Sequence, residues 1–155
     1  MTYALPMLQT YPSEMNLDTT QLAAVIDAVA ACSQACTACA DACLSESAQM
    51  LPHLVKCIRD NLDCADVCAA TARVLSRHTG YDANLTQMQV QAALQAVQTC
   101  GASCGEHAEM HEHCRVCAQA CRHAEQALVG LLGQLQPSGN ASSSPGETAT
   151  PPAPA

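Results

Sequence analysis

Cys32-Ser-Gln-Ala-Cys36-Thr-Ala-Cys39-Ala-Asp-Ala-Cys43 places four cysteines at steps of 4, 3 and 4. An α-helix turns every 3.6 residues, so these steps keep all four thiols on one face. Followed backwards, the same stripe meets Val29, Val25 and Leu22. The thiols therefore occupy positions where a helix normally buries its apolar side chains.

Three more segments repeat the pattern. Cys57, Cys64 and Cys68 lie on one stripe, with Asn61 at the missing step and Ala72 and Leu75 further on. Cys100 and Cys104 continue forward to His107 and His111, and backward to Val97 and Ala93. Cys114, Cys117 and Cys121 follow Met110 and lead to Ala124, Leu128 and Leu131. Capping residues, Pro52 and Gly80 divide the chain into expected helices over 18–48, 52–78, 86–106 and 110–135, with Thr86 as a candidate cap for the third. Short connections between long helices favour an antiparallel, up-down-up-down four-helix bundle, an all-α fold. The cysteines lie late in the first and third helices and early in the second and fourth. In such a bundle those four ends coincide. All twelve thiols are thus expected in one half, with a dry plug of Val, Ala and Leu in the other.

Composition agrees. Of 155 residues 12 are Cys, none is Trp or Phe, and three are Tyr, which argues against a β-sandwich or barrel. Acids outnumber bases 14 to 6, giving a formal charge of −8, so nucleic acid and anionic membranes are not expected partners. No apolar run is expected to reach the roughly 20 residues that a membrane-spanning helix needs. The N-terminal residues 1–17 lack a basic start, and Pro6 breaks their short apolar stretch, so a cytoplasmic location and a short extension are expected. The bundle domain is expected over 18–136. Residues 137–155 are rich in Pro, Ser, Ala and Thr and are expected to form a disordered tail.

Reduced thiols in a helical core point to metal. Twelve thiolates in three isolated zinc sites would bury about six net negative charges, a costly arrangement without paired cations. Copper(I) is soft and singly charged, and one ion per bridging thiolate leaves the core neutral. Pairs four residues apart, such as Cys32/Cys36, Cys39/Cys43, Cys64/Cys68, Cys100/Cys104 and Cys117/Cys121, suit a two-coordinate ion.

The chain resembles the bacterial copper storage proteins. The matching segments are Cys32 to Cys43, Cys57-Ile-Arg-Asp-Asn-Leu-Asp-Cys64-Ala-Asp-Val-Cys68, and Met110-His-Glu-His-Cys114-Arg-Val-Cys117-Ala-Gln-Ala-Cys121. The resemblance implies a homotetramer of bundles and cytosolic storage of copper(I) on thiolates. The sequence departs from the family pattern at Val25, Val29, Ala93, Val97, Ala124 and Leu128, where relatives tend to carry cysteine, which implies a lower capacity.

The candidate metal ligands are Cys32, Cys36, Cys39, Cys43, Cys57, Cys64, Cys68, Cys100, Cys104, Cys114, Cys117, Cys121, His107, His111, Met110 and Asn61. For Asn61 a buried hydrogen bond is the competing role. Met50, His53, His107, Met110, His111 and His113 fall near the end where copper is expected to enter. His53 and His113 lie off the stripes and read equally well as turn residues. Met7, Met15 and Met88 read as packing residues, and His78 and His123 as surface residues. Asp60, Asp63 and Asp66 read as a solvated face rather than a docking patch for a copper chaperone, although a store needs some copper donor. No catalytic constellation is evident. Two other readings remain open: a zinc- or cadmium-buffering thiolate protein, and a disulfide-laced helical interaction module. A redox role for Cys36/Cys39 or Cys114/Cys117 lacks the βαβ context such pairs need.

Neutral thiols behave as small hydrophobes, so the reduced, metal-free chain is expected to fold. Its circular dichroism should be helical without copper; a coil spectrum that becomes helical only on loading would contradict this.

Overall fold

The computed structural model describes residues 2–135, all of whose regular structure is helical. The elements are α1 (Ala4–Gln9), α2 (Thr19–Leu44), α3 (Leu51–Leu75), α4 (Ala83–His107) and α5 (Glu112–Leu135). The expected tail over 137–155 and the last residue of the expected domain lie outside the described residues.

Local chemistry sets the helix ends. Asp18 caps α2 by accepting from the Gln21 amide at 2.7 Å. Pro52 occupies the first turn of α3, where its missing N–H costs nothing. Gly80, with φ of 62°, supplies the left-handed residue in the turn before α4. One expectation needs correction. Asp82, not Thr86, caps α4, accepting from the Leu85 amide at 3.0 Å. Thr86 lies buried one turn inside and bonds back to the Asp82 carbonyl at 2.9 Å. The N-terminal extension contains α1, in whose first turn Pro6 sits without breaking it, and Leu8 joins the core.

The long helices pack in a ring: α2 on α3, α3 on α4, α4 on α5 and α5 on α2, with α1 against α2. Contacts fix their directions. Along α2, Cys32, Cys36 and Cys39 meet Cys121, Cys117 and Cys114 in turn, so α2 and α5 run oppositely. Cys57 meets Cys104 and Thr71 meets Gln89, so α3 and α4 do the same.

The interior has two chemistries. Toward the α2–α3 and α4–α5 turns it is lined with sulfur. Toward the other end it is filled by Leu22, Val25, Val29, Leu75, Val90, Ala93, Val97, Ala124, Leu128 and Leu131, each no more than 2 % exposed. Full burial of a Val or Leu side chain stabilises by about 1.5–3 kcal/mol, so this half is the apolar anchor of the fold. With its cysteines counted as apolar, α2 is long and apolar enough to cross a membrane, contrary to the impression from the sequence. Half of that window is buried inside the protein, which accounts for the composition. Where α4 passes α5, a Cβ on Gly101 would stand 3.2 Å from the Cys121 Cβ. The glycine thus permits a close approach at the level of the sulfurs.

Leu128 is fully buried in the apolar half. Leu128→Ala should destabilise the reduced, metal-free protein by about 2–5 kcal/mol in chemical denaturation. Copper capacity should be unchanged.

Candidate metal centre

All twelve cysteines are free and buried. Their shortest sulfur–sulfur separation, Cys57 to Cys104 and Cys36 to Cys117, is 3.6 Å, well beyond a disulfide bond of about 2.0 Å. They form one connected chain of contacts. Cys68 touches Cys64 at 3.9 Å, Cys64 touches Cys32 at 4.0 Å, and Cys32 touches Cys36 and Cys121 at 3.8 Å. Cys36 reaches Cys100 at 3.7 Å and Cys117 at 3.6 Å. From there the sulfurs group as Cys39/Cys104/Cys117, Cys57/Cys104/Cys114 and Cys39/Cys43/Cys114, within 4.8 Å in each group.

The contacts between helices are as short as those along one helix. The ladder of separate pairs expected from the spacing is therefore joined sideways into clusters, because four inward stripes converge on one axis. Cys36 and Cys121 each belong to both the Cys32/Cys36/Cys64/Cys121 group and the Cys36/Cys100/Cys117/Cys121 group. Two closed four-thiolate sites cannot both own them. Ions in both groups must share sulfurs.

Asn61 sits fully buried at the centre of this array. Its Nδ2 donates to the Cys57 carbonyl at 2.8 Å and to the Cys104 sulfur at 3.2 Å. Its Oδ1 accepts from Cys117 at 3.0 Å and from Cys100 at 3.5 Å. The amide is thus satisfied among the thiols and presents an oxygen to two of them.

No basic side chain enters the interior: Lys56, Arg59, Arg73, Arg77, Arg115 and Arg122 are all exposed. Burial raises the thiols of Cys43 and Cys114, the latter to about 12. Contacts with Cys100 and Cys117 push Cys36 upward as well, because its proton is shared among neutral neighbours. Cys104 and Cys121 move the other way. The same kind of contact, chiefly with Cys100 and Cys117, acts on them in the lowering direction, so within one cluster the partners' shifts oppose each other. The protons thus belong to the cluster rather than to single residues.

At the sulfur-rich end, the α4–α5 turn brings in imidazoles. The His107 Nδ1–H donates to the Ser103 carbonyl at 2.9 Å. His111 is buried in the turn, its amide bonded to the His107 carbonyl at 2.9 Å. His113, at the start of α5, points its Nδ1 at Cys114, Cys39 and Cys43, at 3.4, 3.5 and 3.9 Å. The spacing reading set His113 off the stripe, but it lies inside α5 four residues before Cys117, at the edge of the same face, and its ring reaches the thiols from there. Glu46, from the α2–α3 turn, contacts both His111 and His113. Hydrogen bonding from His113 holds its carboxyl below the ordinary carboxylate range.

Other residues lie elsewhere. Met110 is 65 % exposed, His53 is exposed and Met50 half-buried. His78 is not a surface residue: Tyr11 meets it edge-on, Tyr81 stacks on it, and its Nε2 is buried. His123 is exposed. Asp60 departs from the solvated face, being largely buried and paired with Lys56 one turn earlier, whereas Asp63 and Asp66 are exposed.

A helical protein whose interior is a continuous thiol array, with imidazoles at one end and no internal cation, belongs to the class of multi-ion thiolate metal binders. The family model for copper storage proteins matches residues 18–132, and the chain belongs to that family. The copper storage protein Ccsp from Streptomyces lividans, in a form loaded with 10 copper equivalents, is 54 % identical and superposes with a TM-score of 0.82, over 84 % of this chain and 98 % of that one. A Streptomyces lividans structure of copper loading to a cytosolic copper storage protein, with five coppers, is 58 % identical over 74 % of this chain and 93 % of that one, with a TM-score of 0.72. A cysteine-rich protein of Bacillus subtilis strain 168, YhjQ, is 35 % identical over 97 residues, 63 % of this chain and 82 % of its own length.

Asn61 is neutral where a charge would be stranded. Asn61→Asp should destabilise the metal-free protein at neutral pH by about 3–5 kcal/mol. Burial would raise the new carboxyl in the folded state. The penalty should therefore vanish below the unfolded-state value of about 3.9 and grow as pH rises above it, which denaturation across pH would reveal.

Proposed function

We propose that this protein stores copper(I) in the cytosol, holding about one ion per thiolate on sulfurs that bridge neighbouring ions. The observation that carries this is the sharing of Cys36 and Cys121 between two four-sulfur groups, in an interior without a cation. A singly charged, thiophilic ion replaces one proton and leaves the array neutral. A divalent ion in a closed four-thiolate site would need sulfurs that its neighbour also needs. With metal–sulfur bonds of about 2.3 Å, sulfurs on opposite sides of one ion stand at most about 4.6 Å apart. The observed contacts of 3.6–4.0 Å suit bent, shared coordination with little rearrangement.

The twelve cysteines are the proposed ligands, with the Asn61 oxygen as a further donor beside Cys100 and Cys117 and the His113 Nδ1 beside Cys39, Cys43 and Cys114. His107, His111 and the exposed Met110 form the mouth. Weaker, more exchangeable imidazole and thioether ligands there take an ion from a donor protein or chelator and pass it to the first thiols. The role is that of a store and not of an enzyme. The opposed directions of neighbouring helices support an up-down-up-down four-helix bundle over 18–136. A homotetramer, the assembly the family resemblance implies, would cover apolar side chains such as Val55 and Leu62 on the outer face of α3, 63 % and 46 % exposed.

Anaerobic titration followed by mass spectrometry should saturate near one copper(I) per thiolate, and copper(I) should displace bound zinc. Saturation near three or four ions, or zinc outcompeting copper, would sink the storage reading. Because metal must displace protons, the apparent affinity should fall as pH falls.

A further inference from the structure

Glu46 follows Cys43 by three residues, just past the end of α2, and would not itself hold an ion in a sulfur-rich site. Its position is nevertheless specific. One oxygen, Oε1, stands 2.8 Å from the His111 Nδ1 and 3.1 Å from the His113 Nε2. The two rings lie 5.4 Å apart, tilted by 35°. An ionised carboxylate only accepts hydrogen bonds, so each of these nitrogens must carry a proton. The consequence is opposite for the two rings. His111 is protonated at Nδ1 and keeps its Nε2 lone pair. His113 is protonated at Nε2 and keeps its Nδ1 lone pair.

The His111 Nε2 is buried and has no hydrogen-bond partner. The His113 Nδ1 faces Cys39, Cys43 and Cys114. A metal-binding imidazole is commonly oriented by a carboxylate on its other nitrogen. Here one carboxylate serves two imidazoles in opposite senses. The carboxylate also comes from the α2–α3 turn while both rings come from the α4–α5 region, so it ties the two turns of the mouth together.

We propose that Glu46 is the positioning residue of copper uptake: it fixes the tautomers of His111 and His113 so that the Nε2 of one and the Nδ1 of the other are open, in sequence, to an incoming copper(I) ion on its way to Cys39, Cys43 and Cys114. This rests on the copper-storage reading. A carboxylate that served only to tie the two turns together would leave the loading rate unchanged when removed.

The test uses the full chain, reduced and metal-free, in three forms: wild type, Glu46→Ala and Glu46→Gln. Nitrogen-detected NMR of the imidazoles should show His111 as the Nδ1–H form and His113 as the Nε2–H form in wild type, and mixtures in Glu46→Ala. Glu46→Gln, whose amide oxygen still accepts, should retain at least one of the two preferences. Stopped-flow loading from a copper(I) chelator should be several-fold slower in Glu46→Ala and partly rescued in Glu46→Gln, with the same final number of ions in all three. Wild-type tautomers and wild-type rates in Glu46→Ala would overturn the proposal while leaving storage intact. A wild-type protein that does not fill to about one ion per thiolate would instead count against the storage reading itself. Circular dichroism of each variant separates a loading defect from a folding defect.

Discussion

Twelve thiol groups share one water-poor interior, and every lysine and arginine of the protein lies outside it. In that setting charge is the controlling constraint. An isolated thiolate in an apolar core is expensive, and a neutral thiol is not. The empty array is therefore held as S–H groups that touch one another, with Asn61 as a neutral bridge among the sulfurs of Cys57, Cys100, Cys104 and Cys117. A loaded array must keep the same neutrality. An ion that brings one positive charge for each proton removed meets the requirement without help from the rest of the protein.

The rest of the architecture serves that array. A core made wholly of sulfur and small side chains would offer little of the large apolar area that stabilises a helical fold. The opposite half supplies it through Leu22, Val25, Val29, Val97, Leu128 and Leu131. Gly101 lets α4 and α5 approach at the level of Cys121, which keeps sulfurs from different helices within bridging distance. At the other extreme of the array, the two turns contribute imidazoles, a carboxylate and a thioether. The protein thus grades from an apolar plug, through a shared thiol interior, to a polar end.

Much of this was legible in the chain because periodicity and topology are both written in the cysteines. Steps of three and four along each stripe gave the helices and their buried faces, and the alternation of late and early cysteines gave the segregation of sulfur into one half. What escaped were features that depend on distances between helices or on turn geometry. Helical spacing shows Cys32 facing Cys36 but cannot show that Cys36 also meets Cys100 and Cys117. His113 escaped because it sits at the edge of the α5 stripe, four residues before Cys117, where only the reach of its ring brings it to the thiols. Asp60 was misjudged because a carboxylate one turn from Lys56 can be covered without losing its partner.

Neutrality of the loaded core is the central claim, and proton release measures it directly. Copper(I), added anaerobically to the reduced protein in a weakly buffered solution, should liberate about one proton per ion bound, from the first ion to the last. Release of about four protons per ion would mean isolated four-thiolate sites with buried negative charge, and would contradict the account.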